Sequence, residues 1–365
     1  MPEKKTRGKS DFILLILVLL LVVFGLVILS STSAYNGRVK FNDPAYYLKK
    51  QLFATALGLM VMYLVSQMDY HRLAVLAPLG YLLAILLSTA VLFFGQEYNG
   101  SRRWLALGPL SFQPSEFAKV AVILFLAWRI DTTAKKTTGF WFMCKVLFLL
   151  LPVVGLVGSN NLSTAIIILG IGIVLIFIAN PRYLQFVGIG VAGVCFLSVF
   201  LAMESYRLER LEIWRNPEAY EKGFQTIQGL YAIGSGGYFR KGLGSSLQKL
   251  GFVPEAQNDM IFSIICEELG LVGASLLILV FILLIWRLMV TAVHAPDLLG
   301  AMICAGIMGH MAIQVILNIA VVTNTIPNTG ITLPFISYGG TSVLFLLGEM
   351  GLALSVSRHQ KSGSA

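Results

Sequence analysis

One carboxylate in this sequence stands where a carboxylate needs a reason. Asp259 closes a polar stretch of 57 residues, 203–259, that carries seven Lys/Arg and six Glu, and Met260 opens a long apolar run right after it. Two chemistries fit. Asn258 or Asp259 can cap the helix that follows, a contribution of roughly 1 kcal/mol, or the Asp259 carboxylate can take a proton from a substrate at the membrane boundary. A second cluster lies in residues 99–119, where Arg102, Arg103 and Trp104 are followed by Gln113, Ser115, Glu116 and Lys119. Trp104 suits a membrane interface, Ser115 after Pro114 suits a helix cap, and Glu116 with Lys119 share one helix face at i, i+3. This cluster reads either as an amphipathic re-entry whose ion pair balances itself or as an external basic pocket for an anion. Residue types leave both pairs of readings open.

The elements that must position these residues are membrane helices. A chain of 365 residues with 57% hydrophobic and 12% charged residues and a mean hydropathy of +0.80 is no ordinary soluble globule. Apolar runs able to cross roughly 30 Å of hydrocarbon fall at residues 12–30, 52–65, 73–94, 117–130, 140–157, 162–179, 186–203, 260–288, 298–322 and 333–357. The expectation is an all-α polytopic membrane protein of ten helices. The first run follows Lys4, Lys5, Arg7 and Lys9, yet it is long for a signal peptide and is read as a retained helix. The inside segments then hold twelve of the 27 cations. Because the rule weights short loops and the first helix, both termini are still expected in the cytoplasm. Residues 1–11 form one tail, 12–357 a single membrane domain and 358–365 the other tail. The stretch 203–259, between the seventh and eighth helices, is expected to be external.

The remaining residues narrow the function. A net charge of +9 fits anionic lipid or an anionic substrate, since no nucleic-acid module accompanies it. Cys144, Cys195, Cys266 and Cys304 lie in apolar runs without a Cys-x-x-Cys pair, and the four histidines have no ligand spacing. The glycine-rich residues 233–244 lack the spacing and the surrounding strand and helix of a nucleotide-binding loop. His310, Gln314 and Asn318 recur at i, i+4, i+8 in the ninth helix, a polar stripe that suits hydrogen bonding between helices better than ligand binding. Residues 327–342 are rich in Gly and Pro, and irregular backbone at membrane depth must face protein or a water-filled cavity. No internal repeat or matched pair of broken helices favours a transporter.

The ordered motifs carry a resemblance. Asn99-Gly-x-Arg-Arg-Trp104 with Gln113-Pro-Ser-Glu116, then Gln228 and Ala232-Ile-Gly-Ser-Gly-Gly237, and Gly242-Leu-Gly-x-Ser-x-Gln-Lys249 come first. Pro254-Glu-Ala-Gln-Asn-Asp-Met-Ile-Phe262 with Glu267-Glu-Leu-Gly270, and Pro334-Phe-Ile-Ser-Tyr-Gly-Gly340, complete the set. Together these resemble the shape, elongation, division and sporulation (SEDS) family over nearly the whole chain, and the wording is closer to its division and sporulation members. The resemblance implies a ten-helix peptidoglycan glycosyltransferase that polymerises lipid II on the outer face of the cytoplasmic membrane with a class B penicillin-binding protein. It also makes Asp259 the catalytic candidate. One departure matters: where many members have Pro-Asp-x-Gly-Thr, this chain has Asn160-Asn-Leu-Ser-Thr164, so no role of that family aspartate carries over.

The chemistry is compatible with this. Joining a GlcNAc 4-hydroxyl to an anomeric carbon that bears a diphosphate needs a base and positive charge on the leaving group. Diphosphate leaves without a general acid, so the paired carboxylates of glycoside hydrolysis are unnecessary. Asp259 as base, with Arg102, Arg103 and Lys119 as cations, would suffice, and a single displacement would invert α to β. Trp104, Gln113, Ser115, Glu116, Gln257, Ser337 and Tyr338 complete the expected substrate surface. A divalent cation, Mg or Mn, is a possible companion of the diphosphate. Glu267 and Glu268, some 12–14 Å further along a helix, are too distant to share the base role and are expected to be paired or protonated, as is Glu349. A lipid II flippase and a non-catalytic scaffold for division or sporulation remain the alternatives.

Overall fold

The computed structural model describes residues 10–98, 101–107, 110–134, 139–180, 184, 186–188, 190, 193, 211–239 and 242–360. In chain order these form α1 (Phe12–Thr32), α2 (Ala34–Phe41), α3 (Tyr46–Gln67), α4 (Tyr70–Val75), α5 (Ala77–Phe94), β1 (Gln96–Tyr98), β2 (Ser101–Leu107) and β3 (Leu110–Phe112). There follow α6 (Pro114–Ala134), α7 (Phe140–Asn160), α8 (Leu162–Ala179), α9 (Phe224–Ser235), α10 (Ile261–Val293), α11 (Leu298–Val322) and α12 (Gly340–Arg358). Among the described residues, eight helices are long and apolar enough to cross a membrane. The helix α6 is not one of them, because Glu116, Lys119, Arg129 and Asp131 lie on it. It is nevertheless central, with Ala118, Val122, Ile123, Leu126 and Ile130 fully buried.

Several boundaries follow from single residues. The run at 298–322 forms α11 with the same ends. The run at 73–94 is instead two helices, α4 and α5, broken at Leu76; Pro78, in the first turn of α5, has no N–H to offer the preceding turn. In the last run helix begins only at Gly340, and the residues before it stay irregular, with Phe335 at φ 62°. That backbone rests on α1 at Gly25, where an added Cβ would stand 2.4 Å from the Phe335 carbonyl oxygen. The span at 186–203 and Cys195 lie largely outside the described residues.

A three-stranded antiparallel sheet, β1-β2-β3, occupies the stretch between α5 and α6. It replaces the amphipathic re-entry, one of the two readings of this stretch, and corrects the expectation of a purely helical chain. The signal was on the page: Tyr98 pairs with Ser101, so the sequence leaves Asn99-Gly100 between them, the dipeptide that two-residue hairpins favour. A second correction concerns Ser115, since α6 starts at Pro114. Ser115 therefore sits inside the first turn, where its Oγ accepts from Gln113 Nε2 at 3.1 Å.

The helix α10 is interrupted. Its 33 residues would span about 50 Å, but Gly270 takes φ 68°, ψ −174° and breaks the ladder. The chain around residue 238 fills the break: Leu271 N donates to Gly237 O (2.9 Å), and Gly242 N donates to Glu268 O (3.1 Å). A Cβ at Gly270 would meet the Phe239 carbonyl carbon at 2.9 Å, so both the positive φ and the close approach require glycine. Residues Ile261 to Glu268, ahead of the break, are all buried.

Candidate active site

Asp259 lies just ahead of α10 and does not cap it. The N-cap position belongs to Met260, and no side chain bonds the first turn. The carboxylate is 8% exposed; Gln225 Nε2 on α9 donates a long hydrogen bond to Oδ1 at 3.4 Å, and the backbone N–H groups of Asp259 and Met260 also favour its charged form. Asn328 Nδ2 fixes Gln225 in turn, donating to its Oε1 at 3.3 Å, and an added Cβ at Gly330 would come within 3.9 Å of Asp259 Oδ2. Below the carboxylate, Asn318 Nδ2 donates to the Asp259 carbonyl (2.9 Å) and to the Ile331 carbonyl (2.7 Å). The site is thus assembled from α9, the turn before α10, α11 and the irregular segment before α12.

Burial dominates the electrostatics. Loss of water pushes the Asp259 carboxyl up to about 7; its own backbone N–H and the Gln225 amide pull it down, and the neighbouring charge of Glu255 pushes it up again. A carboxyl at that value is a workable base near neutral pH. Glu255 itself is held at φ 53° and accepts from Asn258 Nδ2 at 2.5 Å.

The other predicted residues fall into three groups. Gln257 and Tyr338 meet, the Tyr338 N–H donating to the Gln257 carbonyl at 2.9 Å, while Asn36 on α2 donates to Gln257 Oε1 at 2.7 Å. Ser337 is turned to its own segment, its Oγ accepting from Leu333 N at 2.9 Å. Glu116 and Lys119 are paired at 3.1 Å, both buried, and Lys119 Nζ also donates to Gln314 Oε1 at 3.1 Å. Since Gln314 and Asn318 are one turn apart on α11, the rungs that bond Lys119 and Asp259 are neighbours. The polar stripe does bond between helices, as expected. It also joins the two predicted clusters.

Arg102, Arg103 and Trp104 lie on β2. Arg102 Nη1 donates to the Leu92 carbonyl (3.4 Å) and Arg103 Nε to the Asn160 carbonyl (3.2 Å), at the C-terminal ends of α5 and α7. Cations are favoured at such ends. Trp104 is half-buried and pairs with Gln96. β3 meets α12, where the Ser111 carbonyl accepts from Thr341 Oγ1 at 3.0 Å, and Gln113 and Ser115, which follow it, bond each other. The expected pairing of the deeper carboxylates is also present. Glu268 bonds Lys249 Nζ at 2.7 Å, Glu267 accepts from Ser246 Oγ and from Leu247 N at 3.2 Å, and Glu349 faces His310. Asn161, at the departure from the family motif, caps α8 by accepting from Thr164 N at 3.2 Å.

Sequence reasoning missed Gln225, Asn328 and Asn36. Each is an isolated amide in a polar stretch with no periodicity, and only the fold brings them to Gln257 and Asp259.

Fold and site define a multi-pass helical membrane protein with a buried carboxylate at the end of a broken helix. The chain belongs to the FtsW, RodA and SpoVE family, described as cell cycle proteins, whose sequence model matches residues 11–362. It is similar to stage V sporulation protein E of Bacillus subtilis (strain 168), 39% identical over 99% of this chain and all of that protein. It is also similar to the probable peptidoglycan glycosyltransferase FtsW of Trichlorobacter lovleyi, 36% identical over 97% of this chain and 94% of the relative. Among solved structures, a chain from work on how a peptidoglycan synthase complex coordinates polymerization and crosslinking superposes with a TM-score of 0.80, at 32% identity over 96% of this chain and 98% of the other. The crystal structure of the Thermus thermophilus rod shape determining protein RodA gives 0.72, at 30% identity over 97% of this chain and 98% of the other.

Proposed function

We infer that this protein is a peptidoglycan glycosyltransferase that polymerises lipid II into β-1,4-linked glycan strands, releasing undecaprenyl diphosphate, in cell division or sporulation. Its family and relatives support the reaction. The observation that carries the residue-level reading is Asp259: a buried carboxylate that is not the N-cap of α10, has a long side-chain hydrogen bond from Gln225, and is raised to about 7. Asp259 takes the proton of the GlcNAc 4-hydroxyl as that oxygen bonds the anomeric carbon of the second lipid II. The bond from that carbon to the diphosphate oxygen breaks, the electron pair leaves with the diphosphate, and the centre inverts from α to β. The negative charge that builds on the departing diphosphate is stabilised by Lys119, with Arg102 and Arg103 at the rim.

Trp104, Gln113, Ser115, Glu116, Gln257, Ser337 and Tyr338 line the way for the sugars in this reading. Supporting it, Glu116 Oε2 is buried without a hydrogen-bond partner, an arrangement that suits a ligand hydroxyl. Among the described residues no three His, Cys, Asp or Glu side chains converge on a common point. A Mg or Mn ion belongs to the proposal as a companion of the diphosphate. The proposed topology has ten helices, residues 203–259 external between the seventh and eighth, tails at 1–11 and 358–365 in the cytoplasm, and the site on the outer face of the cytoplasmic membrane. A class B penicillin-binding protein is the proposed partner, which would crosslink the strands.

The test is glycan formation from purified lipid II by the detergent-solubilised protein, alone and with candidate class B partners, for wild type and Asp259→Asn. Polymer from wild type and none from the variant is expected. Full activity in the variant would remove the base from this mechanism.

A further inference from the structure

A chain of buried polar groups crosses the helix bundle and ends at Lys119. His310 on α11 places Nδ1 2.8 and 3.0 Å from the two carboxylate oxygens of Glu349 on α12, and Nε2 2.8 Å from Gln314 Oε1. Gln314 Nε2 donates to the Thr332 carbonyl at 3.0 Å, and Gln314 Oε1 accepts from Lys119 Nζ at 3.1 Å. His310, Gln314, Glu349 and Lys119 are all at most 2% exposed.

The proton positions follow from the partners. Gln314 Oε1 is an acceptor, because its own nitrogen faces a carbonyl and a Lys ammonium can only donate. His310 Nε2 therefore carries a hydrogen. On the other side, either Nδ1 is protonated and Glu349 is a carboxylate, or Glu349 is the acid and donates to Nδ1. In both cases one proton lies between His310 and Glu349, and the pair is net neutral. Glu116 and Lys119 balance each other in the same way, so the buried cluster carries no net charge, as membrane depth demands.

Two donors now converge on Gln314 Oε1, and they lock the amide. Reversing it would set its NH₂ against both Nε2–H and the Lys119 ammonium. Two of the three N–H donors of Lys119 are engaged by Gln314 and Glu116, and no bond of the third is described. We propose that His310 and Glu349 are positioning residues for glycosyl transfer: the proton they share fixes Gln314, and Gln314 holds the Lys119 ammonium in the orientation that meets the diphosphate. This rests on the site reading given above for Lys119 and Asp259.

Glu349→Gln and Glu349→Leu separate this from simple packing. A glutamine amide donates N–H to Nδ1 and leaves Nε2–H on Gln314, so kcat/KM for lipid II polymerisation stays close to wild type. Leucine has similar bulk and no donor, and kcat/KM falls about 100-fold, the scale of a misplaced catalytic group. Combined with Lys119→Met, Glu349→Leu adds no further loss, because both remove the same placed charge. The proposal is overturned if Gln and Leu lose activity alike, if neither does, or if the losses with Lys119→Met multiply. A Glu349→Leu chain that no longer gives a cooperative thermal transition assigns the pair to stability and overturns it as well. Lys119→Met alone guards the underlying reading: unchanged kcat/KM there takes the leaving-group role from Lys119, whatever the Glu349 pair shows.

Discussion

Two aspartates precede long helices of this protein and have opposite fates. Asp297 caps α11, accepting from Gly300 N at 2.8 Å, and its other oxygen takes Tyr70 Oη at 2.6 Å and His71 Nε2 at 2.8 Å. Burial pushes its carboxyl up, but the bonds from Tyr70, Gly300 and His71 outweigh it, and the group stays below the usual carboxylate range. At Asp259 burial outweighs the bonds, and the carboxyl rises to about 7. Asp297 is the N-cap of its helix, whereas Asp259 stands one residue before the N-cap of α10. What separates them is how completely the neighbours satisfy the charged form.

The largest effect expected from this contrast is on catalysis. Asp259→Asn lowers polymerisation of lipid II by at least about 100-fold, the contribution of a positioned base, whereas Asp297→Asn leaves the specific activity of the folded protein unchanged. Equal losses in the two variants would erase the distinction. Next comes the pH profile. With Asp259 as base, kcat/KM of wild type rises about tenfold per pH unit up to about pH 7 and is level above it; a profile flat from pH 5 to 8 would contradict that assignment.

Thermal unfolding sharpens the contrast through its sign. Asp259 has a folded value above its unfolded one, so its charged form is disfavoured by folding. The penalty is small at pH 4, grows between about pH 4 and about pH 7, and is constant above, on the order of a few kcal/mol. Asp259→Asn therefore raises the unfolding midpoint at pH 8 and leaves it nearly unchanged at pH 4. For Asp297, whose folded value is depressed, the stabilisation is present above the carboxylate range and is lost as pH falls through it. Asp297→Ala consequently lowers the midpoint at pH 7 by the equivalent of about 1–2 kcal/mol and has no effect in acid. Midpoints that move the same way in both variants at pH 8 would break the comparison. The smallest effect is at the sheet: Arg103→Ala raises the lipid II concentration needed for half-maximal rate a few-fold, and an unchanged requirement would make Arg103 a structural residue of the sheet and the α7 end.

Much of this was legible in the residues. Uninterrupted apolar runs such as 298–322 become helices with nearly the expected ends, because in hydrocarbon every backbone group must bond within its own segment. The stripe His310, Gln314, Asn318 was legible as a bonded face from its period alone. The hairpin had its signal in Asn99-Gly100, overlooked because strands this short leave no hydrophobic period. The break at Gly270 had none, since a glycine within an apolar run reads as helix until another segment is seen to fill the gap.

By itself, the sequence determined a membrane-embedded helical chain and Asp259 as the carboxylate to ask about, because hydropathy and residue order are local properties. That this carboxylate is not the N-cap of α10 and is buried was decided only in three dimensions. A carboxyl's proton affinity depends on which groups surround it, and Gln225, Asn318, Asn328 and Gly330 come to the Asp259 site from 34 to 71 residues away in the chain. The structure also drew Lys119 to the same face of α11, through a glutamine held by a histidine and a glutamate whose roles no linear pattern marks.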